Sequence, residues 1–91
     1  MTQTQINTIK GFQRQIESIN MQIKNYANNK KNLSSNFSIR IKSAKDSTQR
    51  KELNKQKKMQ IESISKDIQA RKFDLAQLRK QLISYRLSIK K

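Results

Sequence analysis

Residues 61–89 read IESISKDIQARKFDLAQLRKQLISYRLSI, and their large apolar side chains recur at alternating steps of three and four: Ile61, Ile64, Ile68, Leu75, Leu78, Leu82, Tyr85 and Ile89. Arg71 holds the one step in that series that is not apolar. A helix turning 3.6 residues at a time places such a series on one face, and helices that bury it side by side form a coiled coil with these positions as a and d of a heptad. The first half repeats the rhythm with Ile9, Phe12, Ile16, Ile19, Ile23, Tyr26, Leu33 and Phe37, interrupted at Lys30. Two seams in one short chain predict an all-α, antiparallel, coiled-coil-like helical hairpin.

The chain has no proline and a single glycine, Gly11, so it lacks the residues that break helices or build tight strand turns. One domain over 1–91 is expected, with a helix from about 5 to 45, a turn at about 45–48 and a helix from about 48 to 90. Thr4 is a candidate N-cap for the first helix. Asp46, Ser47 and Thr48 are the candidate caps of the second, and Asp46, with Gln49 three residues later, has the spacing of a capping box. Folding back there puts Ile9 near Leu82 and Tyr85, Ile16 near Leu75 and Leu78, Ile23 near Ile68, and Leu33 near Ile61. An alternative three-helix arrangement has a further break at Asn28-Asn29-Lys30-Lys31-Asn32, where poor helix formers cluster.

Only 33% of the residues are hydrophobic and five are aromatic, so the core is a thin aliphatic seam. A lone hairpin of this kind is marginal; the expectation is a dimer forming a four-helix bundle, or docking on another molecule. Lys30, Arg40 and Arg71 fall on seam positions, where long stems snorkel out or a polar group specifies register. Asp67 and Asp74, on the second helix, are in reach of Arg71 or Lys66.

Twenty-one Lys and Arg against six acids give a formal net charge of +15, more than solubility requires. With Ile61 as position a, Lys51, Lys58, Lys72, Arg79 and Arg86 all fall at position e, at steps of seven residues or multiples of seven. Cations on a rigid rod release counterions from a phosphate backbone without reading sequence, so these five residues are the candidate nucleic-acid-binding stripe for DNA, RNA or a ribonucleoprotein. Zinc-finger spacing and RNP aromatic motifs are absent, and the aromatics fall mostly in the seam, so no base-reading code is expected.

A second series, Phe73, Ala76, Ile83 and Leu87, follows the 3-4 rhythm on the opposite side of the second helix, with Lys80 at the missing step and Met59 extending it toward the turn. A helix apolar on two sides needs two neighbours, so these five apolar residues are the candidate partner-binding face.

Histidine and cysteine are absent, and the acids Glu17, Asp46, Glu52, Glu62, Asp67 and Asp74 form no paired arrangement beyond ordinary helix-surface spacing. General acid–base chemistry, nucleophilic triads, transition-metal sites and glycine-rich phosphate loops all lack their parts, so no enzyme activity, metal, cofactor or small-molecule substrate is expected. No apolar run reaches the ~18 residues of a membrane span, and the N-terminus lacks the pattern of a secretory signal; a soluble, intracellular protein is expected. The leading expectation is a small accessory protein that binds nucleic acid or a nucleoprotein complex by charge. The alternative is a protein–protein adaptor, inhibitor or secretion partner using the second apolar face. In size and hairpin form the chain is similar to the WXG-type secreted helical hairpins, but it has no tryptophan and therefore no Trp-x-Gly turn. An anionic membrane surface ranks last among the partners, since the apolar faces suit helices and carry no tryptophan.

Overall fold

A computed structural model describes residues 1–90 as two long helices in a hairpin, α1 (Gln3–Ser43) and α2 (Ser47–Lys90). Thr2, two residues ahead of the expected cap, starts α1. Its hydroxyl accepts from the Gln5 N–H at 3.2 Å and its own N–H donates to Gln5 Oε1 at 2.9 Å, a reciprocal capping box that satisfies donors at the helix start. Thr4 lies inside the helix, where its carbonyl accepts from the Thr8 hydroxyl. The helix continues through Asn28–Asn32, so the three-helix arrangement is not formed. Three asparagines there cost helix propensity, but Tyr26, Lys30 and Leu33 are half-buried along the seam, and packing of that face offsets the local preference.

The chain divides into two units, each containing a stretch of both helices. The turn unit is Lys24–Gln69; the terminal unit joins Met1–Ile23 to α2 from Ala70 onward.

In the turn unit α1 ends at Ser43, the Ala44 N–H donates to the Ile41 carbonyl at 3.2 Å, and Asp46 opens α2. The Asp46 carboxylate accepts from the Thr48 N–H at 3.0 Å, and its carbonyl takes the first helical bond from Arg50. Arg50 Nε donates in turn to the Ala44 carbonyl at 3.1 Å, tying the end of one helix to the start of the next. Phe37, 3% exposed, is the buried residue here. The sequence expectation for Arg40 is corrected: Arg40 is exposed and lays its guanidinium 5.3 Å from the Phe37 ring centroid, while Ile41 takes the inward position. The inward residues of α1 therefore run Leu33, Phe37, Ile41, and those of α2 run Leu53, Lys57, Ile61. Two consecutive four-residue steps are a stutter, which locally unwinds a coiled coil, and both helices carry one beside the turn.

In the terminal unit the buried residues are Leu75 and Leu82, each 8% exposed, and every seam residue around them is half-buried. Phe12 and Tyr85 stack at a tilt, with ring centroids 6.2 Å apart. Ile9, one turn away on the same seam, lines a hollow with Arg86 and Ile89.

Candidate nucleic-acid interface

All five cations of the candidate stripe are exposed on α2: Lys51 and Lys58 in the turn unit, Lys72, Arg79 and Arg86 in the terminal unit. Lys58, Lys72, Arg79 and Arg86 each follow a seam residue and stand beside the seam rather than in it, while the stutter at Leu53–Lys57–Ile61 takes Lys51 out of that common position. Ser65 occupies the missing step between Lys58 and Lys72 and is half-buried. Within the terminal unit the three cations rise at intervals of about 10.5 Å, which is seven residues of helix. The only ion pair among the described residues is Arg71 Nη2 with Asp74 Oδ2 at 3.0 Å. None of the five stripe residues makes an ion pair among the described residues, which leaves their charge open to a phosphate. Asp74 supplies the expected neutralisation of Arg71, and Asp67 makes no ion pair among the described residues.

A basic groove that the heptad argument did not single out lies in the turn unit. Ala27, Lys30, Lys31, Ser34, Ser38 and Ile61 line an open groove of about 650 Å³. The Lys57 ammonium reaches across from α2 to donate to the Ser38 hydroxyl at 3.4 Å, bringing lysines of both helices to hydroxyl groups of one. Ammonium and hydroxyl donors side by side suit a phosphodiester oxygen. The signal was available in sequence as Lys30-Lys31 followed by Ser34, Ser35 and Ser38 one and two helical turns later, but Lys30 read as a seam interruption.

The candidate partner face is exposed as well. Phe73 is 64%, Ile83 58% and Leu87 57% exposed in the terminal unit, with Ala76 and Lys80 exposed between them; Met59, in the turn unit, is 60% exposed. Met21 and Ile39 on α1 are also exposed, and neither belongs to this series. Among the described residues no three acidic side chains come together to hold a metal ion, and no helix is long and apolar enough to cross a membrane.

No protein-family model, curated protein or solved structure matches the chain, so the surfaces themselves carry the functional reading.

Proposed function

We propose that the protein is a non-catalytic accessory factor that binds DNA, RNA or a ribonucleoprotein through the exposed cations of α2, acting inside the cell where those polyanions are. The observation that carries this reading is Lys72, Arg79 and Arg86 exposed at regular spacing on one helix with no carboxylate partner among the described residues. Backbone phosphates satisfy such cations without base contacts, which fits a chain that offers no groove-reading motif. Lys51, Lys58 and the groove lined by Lys30 and Lys31 add cations on the turn unit. Docking on another molecule belongs to the same reading, since only Phe37, Leu75 and Leu82 are buried among the described residues. The alternative, a protein–protein adaptor, is favoured by the exposed Phe73, Ile83 and Leu87 and is compatible with the first.

The test is fluorescence anisotropy of labelled duplex DNA and RNA with the wild-type chain and with the Lys72→Glu, Arg79→Glu, Arg86→Glu triple variant. Binding falls by at least a hundredfold in the variant while its helical circular dichroism is retained, because all three positions are exposed. Undiminished binding by a folded triple variant would remove the stripe as the site.

A further inference from the structure

The apolar stripe of the terminal unit has a symmetry that decides what covers it. Phe73, Ala76, Lys80, Ile83 and Leu87 fall at steps of three, four, three and four, so Lys80 is the midpoint. Leu75 and Leu82 are buried on the seam face, and the stripe lies on the far side of α2, free of α1. A second copy laid antiparallel on this face would set Phe73 against its Leu87 and Lys80 against its Lys80; a parallel copy in register would also oppose the two Lys80 ammonium groups. Each symmetric pairing therefore brings like charges together at the centre of the interface, a device that disfavours self-association.

The edge of the stripe repeats the message. Lys72, Arg79 and Arg86 run along one border, and between Ala70 and Lys90 the one acid is Asp74, already bonded to Arg71. No second copy can supply the missing carboxylates from this segment. We infer that the stripe docks an amphipathic α-helix of a different, acidic protein, with apolar residues at 3-4 spacing over about four turns, a carboxylate opposite Lys80 and further carboxylates facing Lys72, Arg79 and Arg86. Apolar anchors give this contact its burial, and Lys80 gives it its choice of partner. The inference shares Lys72, Arg79 and Arg86 with the nucleic-acid reading, and it is Phe73, Ile83 and the central place of Lys80 that separate the two.

Three labelled helical peptides of equal length test it against the full chain. The first has a leucine seam with glutamates flanking it and one glutamate in its central seam position. A second keeps the leucines with lysine flanks, and a third keeps the glutamates with the leucines changed to glutamine. The first binds at least tenfold more tightly than either of the others. Phe73→Gln with Ile83→Gln weakens that binding tenfold or more while leaving nucleic-acid affinity within about twofold, and circular dichroism monitors folding. Lys80→Leu removes the charge from the midpoint, so the variant self-associates and its mass by sedimentation equilibrium moves toward the dimer, while the preference for the central glutamate is lost. Equal binding of the first and third peptides would reduce the face to general electrostatics and overturn the inference. So would a wild-type chain that sediments as a dimer broken by Ile83→Lys, or a Lys80→Leu chain unchanged in mass and peptide preference.

Discussion

Gly11 lies well inside α1, with ordinary helical backbone, and a Cβ added there would meet nothing within 4 Å. Glycine in that setting costs helix stability through the backbone freedom it loses on folding, with no compensating close approach in its surroundings. Gly11→Ala is therefore stabilising by about 0.5–1 kcal/mol, read as a higher urea midpoint at unchanged slope. A lower midpoint would show that the position needs the smaller residue. The charged residues on the seam differ from one another in the same local terms. Arg71 is matched by Asp74 at 3.0 Å, Lys57 by the Ser38 hydroxyl, and Arg40 has left the seam to cover the Phe37 ring. The Arg71–Asp74 pair is more than a third exposed on both sides, so it orients a side chain more than it holds the fold.

At the scale of the element, the turn is held by few contacts, and Asp46 makes two of them. Its carboxylate caps α2 at the Thr48 N–H, and no other side chain accepts a first-turn N–H of that helix among the described residues. Asp46→Ala costs about 1 kcal/mol, the usual loss of an N-cap, and lowers the thermal midpoint by a few degrees without changing the helical content at low temperature. An unchanged midpoint would mean that Arg50 on the Ala44 carbonyl holds the turn alone. Both helices and the position of this turn were legible in the sequence, because the 3-4 series and the Asp46 capping signal are local. The exchange of Arg40 for Ile41 was not, since a strict heptad extended past Phe37 lands on residue 40, and only packing beside the turn shows that an extra residue is absorbed. Thr2 displaced Thr4 as the cap because Gln5 stands three residues after Thr2 and can return the bond. The candidate site was legible to the extent that it depends on heptad position, since exposure at position e and on the far side of α2 follows from the seam. The groove at Lys30 and Lys31 was hidden because Ile61 of α2 completes it from across the turn.

For the molecule as a whole, the formal charge of +15 on 91 residues is the dominant physical fact. Self-repulsion on that scale opposes compaction and self-association, and an acidic ligand relieves it. The small set of buried residues points the same way, toward a chain that gains stability from what it binds. The most direct measurement is the affinity for labelled duplex DNA, single-stranded DNA and RNA across a salt series, with polyglutamate as the competing polyanion. If phosphates are the natural counterions of α2, affinity for at least one nucleic acid exceeds that for polyglutamate by tenfold or more. The logarithm of its binding constant then falls linearly with the logarithm of salt, with a slope of about −2.7 on duplex DNA or about −2.1 on a single strand from the Lys72, Arg79 and Arg86 contacts alone. Weak binding, equal for every nucleic acid and for polyglutamate, would contradict the account and leave the charge as a property of the surface rather than its function.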